Sequence, residues 1–304
     1  MTSARTGTYS IVARDADTGT LGVAVQSHWF SVGSVVSWAR AGVGSVATQS
    51  IAEPAYGPRL LERLEAGEAP QAALDALVAE DGAGRFRQVA AVDAEGRVAV
   101  HTGEGCIPDA GHETGDGFSV QANMMVSPRV WPAMAEAFRG AEGVLGRRLL
   151  AALEAAENAG GDVRGRQSAA LLVVAAEAEP WQRQVDLRVE DHPEPLTELA
   201  RLLDLHDAYE LATQGDELTG QGRHEDAADR YRAAAEIAPD NEELAFFAGF
   251  GQIQVGEVEE GAAALRRLIE ANDGWRQLLL RLDEEFSPGI GEARRALGIE
   301  EPSG

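Results

Sequence analysis

Four short apolar runs crowd the first fifty residues: 8–13 (TYSIVA), 20–26 (TLGVAVQ), 34–40 (SVVSWAR) and 43–50 (VGSVATQS). The stretch DADTGT, a break at Gly33 and the pair AG punctuate them. Turn-forming residues between β-type runs predict hairpins. Two helices should follow. YGPRLLERLEAG sets Leu60, Leu61 and Leu64 on one face and stops at Gly67, and PQAALDALVAED opens at Pro70.

The pattern then repeats. Strands are expected at 86–93, 96–102 and 118–123, helices at 128–140 and 144–158, and strands again at 168–176 and 185–190. Strands, two helices, strands, two helices, strands: this order suits helix pairs on the outer faces of stacked sheets. The expected fold class is α+β, a four-layer αββα sandwich over residues 8–192. Residues 191–197 (DHPEPLT) resemble a linker, so 193–207 is expected to hold a linker and an entry helix. Residues 208–304 should form an all-α domain. Within it, Gly215, Gly222, Ala227, Tyr231, Ala234 and Pro239 fall at the spacing of a tetratricopeptide unit. A shift of 34 residues carries Gly215 onto Gly249 and Gly222 onto Gly256, but Pro239 onto Asp273, so the second unit is degenerate. Small residues with a large one between them suit stacked helix pairs.

Composition narrows the chemistry. The 304 residues hold 26 basic and 50 acidic side chains, a net charge of −24, and every basic residue is arginine. With no lysine there is no Schiff base, no P-loop lysine and no lysine general base, since arginine does not deprotonate. The negative surface argues against nucleic acid and anionic membranes as partners. A single cysteine, Cys106, excludes an internal disulfide and any CxxC motif. No run approaches the ~18 apolar residues of a membrane span, and the chain reads as cytoplasmic. No cofactor or metal is expected.

The blocks SIVARD, GVAVQSHWFSVGSVVSWARAGVGSVATQ, YGP, GHETGDGFSVQANM, GGDVRGRQSAALLVV and VDLRVEDHPEPL closely resemble the bacterial family called domain of unknown function 1028. The likeness covers roughly residues 8–205. It implies an N-terminal-nucleophile (Ntn) hydrolase fold, which agrees with the αββα expectation, and it supplies no substrate. Tails of such proteins sometimes carry a peptidoglycan-binding label, and the end of this chain corresponds to that region. Relatives commonly begin Met-Thr-Phe-Ser. Here TYS matches TFS, so Thr8 takes the place of their exposed threonine, and seven residues precede it. Three outcomes are open: Gly7–Thr8 is cleaved, the extension plays no part, or it stays and the site is inactive.

The resemblance thus implies Thr8 as nucleophile, with its own α-amine, titrating near ~7.7–8.0, as base. The competing role is a strand residue capping a sheet edge. Proteasome-like relatives use a lysine here; Arg40 would supply the charge without the proton transfer. Ser27 and His28 follow the second strand and suit proton relay or oxyanion support, although neighbours on a strand face opposite ways. Asn123 offers a neutral oxyanion donor or a turn before Ser127-Pro128. Gln49, Ser50 and Glu53 cluster after the fourth strand as substrate-binding candidates, Glu53 being equally suited to cap the helix at Tyr56. Cys106, near His101 and His112, reads better as a structural thiol than as a nucleophile. His101, Asp109, His112 and Glu113 follow no recognised metal-ligand spacing. The Gly-rich segments around them lack nucleotide-loop context. Trp275, Leu278 and Leu279 read as helix core.

Two functions are compatible with these residues. One is an Ntn-type amidohydrolase acting on a small amide, imide or peptide-like substrate. The other is a non-catalytic Ntn-fold scaffold whose helical repeat engages a protein partner. Homo-oligomerisation is open in both.

Overall fold

The computed structural model describes residues 5–179, 181–285 and 287–299. The chain divides into two compact units, Met1–Leu202 and Leu203–Gly304. The first is an α+β unit built on two antiparallel sheets.

The first sheet runs β1 (Arg5–Thr6), β5 (Gly44–Ile51), β6 (Arg87–Asp93), β7 (Val98–Thr102), with β4 (Ser37–Arg40) also on β5. Since β6 takes one edge of β5, β1 and β4 share the other, at Ser50–Ile51 and Gly44–Ala47 respectively. The second sheet is ordered β11 (Val185–Val189), β10 (Ser168–Val174), β3 (Leu21–Ser27), β2 (Thr8–Arg14), β9 (Phe118–Asn123), β8 (Gly111–Gly115). The β2–β3 hairpin closes as foreseen: Asp15 Oδ1 accepts from the Thr18 amide at 2.9 Å, and Gly19 adopts φ +72°.

Period-two alternation gives the central strands β2, β3, β5, β6, β9 and β10 two buried faces. Val12, Val23, Val25 and Leu172 of the second sheet share one apolar cluster with Ala47, Ala90 and Val92 of the first. Val46, Val89 and Ala91 point the other way, onto α2 (Tyr56–Glu65) and α3 (Pro70–Glu80). On the second sheet, Tyr9 faces away from the shared cluster, and its hydroxyl donates to Glu157 at 2.7 Å. Glu157 belongs to α5 (Leu145–Asn158), which follows α4 (Val130–Gly140).

Three local expectations change. Residues 34–40 are not one strand: a short helix α1 (Gly33–Val36) precedes β4. A Cβ on Gly33 would lie 2.4 Å from that of Ala170, so glycine marks a close approach here as well as a break. Strands β1 and β8 were not foreseen; β8 lies inside the Gly-rich stretch and gains its partner only from β9. The segment 193–207 is helical from Pro195, where α6 (Pro195–Gly220) begins, and the boundary between the units falls inside that helix. Leu196 and Leu199 are buried, the second completely.

The second unit holds the remainder of α6 with α7 (His224–Ile237), α8 (Glu242–Gln254), α9 (Val258–Ala271), α10 (Gly274–Arg281) and α11 (Ile290–Leu297). Small residues lie where helices approach. A Cβ on Gly215 would meet the Tyr231 ring at 2.4 Å, and one on Gly261 would meet the Gly249 carbonyl oxygen at 2.4 Å. Among the described residues no helix is long and apolar enough to cross a membrane.

Candidate functional site

Strand register builds the site. Thr8, the first residue of β2, lies opposite Ser27 at the end of β3 and opposite Asn123 at the end of β9. Ser168 continues the row beyond Ser27. Directly paired residues share a face, and this row lies on the face that carries Val12 and Val25 into the core between the sheets. All four side chains are fully buried.

The Gly7 carbonyl oxygen, just before Thr8, is held by two donors. Ser27 Oγ lies 2.5 Å from it and Arg164 Nη2 3.0 Å. Thr8 Oγ1 in turn donates to Ser27 Oγ at 3.1 Å. Asp162 fixes Arg164 by two contacts, Nη2 to Oδ2 at 2.7 Å and Nε to Oδ1 at 3.1 Å, a fork that only a guanidinium presents. The Asp162 side chain is wholly inaccessible to solvent. Its Oδ1 also takes the Arg164 amide at 2.9 Å, closing a tight turn ahead of β10. A Cβ on Gly7 would lie 2.6 Å from Asp162 Oδ2 and 2.7 Å from Arg164 Nη2, so the arrangement requires glycine there.

Behind Thr8 lies a buried amide network with a fixed sense. Gln88 Nε2 faces Thr102 Oγ1 (3.0 Å) and the carbonyls of Gly111 (3.1 Å) and Ala122 (2.9 Å). Backbone carbonyls only accept, so Gln88 Oε1 must point inward. There it receives Gln49 Nε2 at 2.8 Å and Asn123 Nδ2 at 3.0 Å. Gln49 Nε2 and Asn123 Nδ2 also reach the Thr8 carbonyl, at 3.2 and 3.4 Å. Gln49 Oε1 accepts from Ser10 at 2.6 Å, and Gln121 Nε2 donates to Ser10 at 2.5 Å. A polar network buried this deeply is stabilising only when its members are satisfied. One atom stands out: Asn123 Oδ1 is buried and, among the described residues, has no hydrogen-bond partner.

Of the residues singled out from sequence, Thr8, Ser27, Asn123 and Gln49 come together. Asn123 does not present a donor to the Gly7 carbonyl, because its Nδ2 is engaged by Gln88 and Thr8. His28 lies just past the end of β3 and is exposed, and its backbone amide reaches Asp162 at 3.4 Å. Arg40 is corrected outright. It pairs with Gly44, at the opposite end of β5 from Ser50, and binds Glu65 at 2.5 Å. Ser50 sits at φ +71° opposite Thr6 and hydrogen-bonds Cys106. Glu53 caps locally, accepting from the Ala55 amide at 3.2 Å.

Burial pushes the Cys106 thiol above its usual range despite that hydrogen bond, which disfavours the reactive thiolate. His101 Nε2 contacts the Gly84 carbonyl at 2.9 Å, and His112 Nδ1 contacts Thr102 Oγ1 at 2.9 Å. Burial, then the nearby His101, lowers the His112 pKa. Among the described residues no group of three or more His, Cys, Asp or Glu is placed to hold a metal. The pair missed by the sequence reading is Asp162 and Arg164. Its signal was an Asp-x-Arg in the glycine-flanked GGDVRG just before a strand.

A buried Thr–Ser pair beside a bound Gly carbonyl, on two antiparallel sheets with flanking helices, defines an α+β protein with a hydroxyl-bearing internal site. The model described as "Family of unknown function (DUF1028)" matches residues 8–199, and the chain belongs to that family. It is similar to the crystal structure of protein SPO2555 from Silicibacter pomeroyi, itself assigned to DUF1028. The two are 35% identical with a TM-score of 0.60, over 65% of this chain and 84% of that one. No curated protein matches.

Proposed function

We propose that the chain is an Ntn-type amidohydrolase of αββα architecture that frees its own nucleophile by cutting Gly7–Thr8, and that it acts on a small amide, imide or peptide-like substrate. One observation carries this reading: the carbonyl before Thr8 is held by Ser27 and Arg164, with the Thr8 hydroxyl bonded to that same serine.

The contacts define a balanced proton path. Thr8 Oγ1 attacks the Gly7 carbonyl carbon and its proton passes to Ser27 Oγ, while the Ser27 proton moves to the carbonyl oxygen. Arg164 stabilises the partial negative charge on that oxygen before the Ser27 proton reaches it, as a fixed donor does. Collapse breaks the C–N bond and returns the hydroxyl proton to the leaving nitrogen. An ester on Oγ1 and a free Thr8 α-amine result. Water then hydrolyses the ester, releasing residues 1–7 with a Gly7 carboxylate. The freed amine, titrating near ~7.7–8.0, becomes the base for later turnovers. Arg164 takes the electrostatic role assigned to lysine in proteasome-like enzymes, and the helical unit is read as a tetratricopeptide-like module.

Full burial of Thr8 in the uncut chain favours the scaffold as the second reading, since no substrate reaches the hydroxyl before cleavage. Intact mass and N-terminal sequencing decide. Wild type should begin at Thr8, and Thr8→Ala should retain residues up to Gly7. If both keep the extension, the scaffold is the better account.

A further inference from the structure

Tyr231, Phe246, Phe247, Phe250 and Trp275 line a cavity of about 510 Å³ within the helical unit. That volume falls in the ~300–1,000 Å³ range of sites that engulf small ligands or anchoring side chains. Its wall is a set of stacked rings. Phe246 lies 5.0 Å from Trp275 and 6.2 Å from Phe250 between centroids, and Tyr231 lies 5.7 Å from Phe247. The sequence reading made Trp275, Leu278 and Leu279 helix core alike. The structure separates them: Leu279 is fully buried, whereas Leu278 is 37% exposed and faces the cavity with Trp275.

The charges are one-sided. Asp216, Glu243 and Glu285 line the cavity from three separate elements, and no basic side chain joins them. Asp216 accepts from the Tyr231 hydroxyl at 2.8 Å and Glu243 from the Tyr209 hydroxyl at 2.6 Å, which orients both carboxylates without neutralising them. Among the described residues none of the three carboxylates has an arginine partner.

We propose that this cavity docks a basic amphipathic peptide segment of a partner protein, with arginine or lysine beside aliphatic or aromatic side chains. The apolar groups would cover the rings, and the cations would meet the carboxylates and ring faces. An acidic segment would add like charge to uncompensated carboxylates, and a polar basic one would leave the aromatic wall wet. Carboxylates on three elements suit cations spaced along a chain better than one point charge. The chain's net charge of −24 steers the same class of partner. This inference stands apart from the chemistry at Thr8.

Fluorescence anisotropy on the full chain at physiological ionic strength tests it. The probe is a fluorescein-labelled peptide of Arg-Leu-Leu-Arg repeats, with two controls, Glu replacing Arg and Ser replacing Leu. Saturable binding of the Arg/Leu peptide is expected, with both controls weaker by at least about tenfold. Leu278→Arg and Glu285→Arg should each weaken it about tenfold at unchanged melting temperature. If Leu278→Arg lowers the melting temperature, Glu285→Arg alone decides. Equal binding of the Arg/Ser peptide would reduce the effect to general attraction by an acidic surface and overturn the proposal. So would preference for the Glu/Leu peptide, absence of binding, or indifference to the deciding variant. Self-association in sedimentation that Leu278→Arg abolishes would make the occupant a second copy, and also overturn it.

Discussion

Arg164 donates from Nη2 to the Gly7 carbonyl oxygen at 3.0 Å, across 157 positions of sequence. The contact depends on Asp162, which grips the guanidinium by two nitrogens. Arginine does not serve as a base. In the proposed cleavage it would hold a fixed positive charge beside the carbonyl oxygen as negative charge builds there, already ordered before the reaction begins.

Arg164→Gln should therefore slow Gly7–Thr8 cleavage by roughly 10²–10³-fold, the usual effect of removing one such donor. Arg164→Lys should recover part of the rate, since charge returns without the fork. Intact-mass time courses on freshly refolded protein read both. Wild-type rates in Arg164→Gln would reduce Arg164 to a structural partner of Asp162.

Alternating apolar runs and turn residues made most strands and helices legible, because each is a local consequence of burial on one or two faces. Strands β1 and β8 escaped because neither has a pattern of its own; each is a strand only through its neighbour's free edge. Thr8, Ser27 and Asn123 were legible as strand-end polar residues; the β2–β3 hairpin sets Thr8 opposite Ser27, but only the folded sheet sets Asn123 opposite Thr8. Arg40 misled because a charge was sought on a neighbouring strand. The guanidinium that meets the Gly7 carbonyl sits instead in a turn more than a hundred residues later, and only the folded sheet order, with β10 beside β3, brings it to Gly7.

The amide network predicts a stability effect separate from the proposed cleavage. Gln88→Leu would remove the acceptor that Gln49 Nε2 and Asn123 Nδ2 share, leaving them the weaker contacts to the Thr8 carbonyl, and the side-chain donor that meets the Gly111 and Ala122 carbonyls. Each buried group left unsatisfied costs about 1–3 kcal/mol. Urea unfolding should show a loss of at least about 2 kcal/mol, on the same scale. A neutral result would mean that the network rearranges or takes up water.

Asp81 gives a pH dependence of known sign. Its carboxylate is lowered, first by the hydrogen bond from Arg87, where Nε lies 2.7 Å from Oδ2, and then by the Ala83 amide and the Arg87 charge, against desolvation. A carboxylate with depressed folded-state pKa contributes stability above its unfolded value of about 3.9 and loses it as pH falls through the folded value. Asp81→Asn should thus destabilise by roughly 1.5–3 kcal/mol at pH 7, the range for hydrogen bonds to charged groups. The gap from wild type should close below about pH 4. Thermal melts from neutral to acid pH check this, and a constant gap would assign the effect to packing.

The unit boundary inside α6 changes where the chain can be cut. A fragment ending at 195 removes Leu196 and Leu199, two buried residues of the first unit. Each fully buried leucine contributes roughly 1.5–3 kcal/mol. Residues 1–202 should unfold cooperatively, and 1–195 should be weaker or aggregate. Equal stability of the two fragments would show that the start of α6 is dispensable.

Gly7→Ala tests the proposed cut site itself. The new methyl would lie 2.6 Å from Asp162 Oδ2 and 2.9 Å from Asp162 Cγ. Asp162 is short and its Oδ1 is also held by the Arg164 backbone amide, so it has little room to retreat even when the longer Arg164 side chain swings outward. The Gly7 carbonyl should then lose its Arg164 contact and shift from Ser27. Cleavage should slow at least as much as in Arg164→Gln, with the sheets intact by circular dichroism. Ser27→Ala removes the other donor and the first proton acceptor for Thr8, so it should block cleavage while the methyl-free Gly7 stays in place. Prompt cleavage in both variants would mean that the bond is cut by an external protease or by a geometry other than this one.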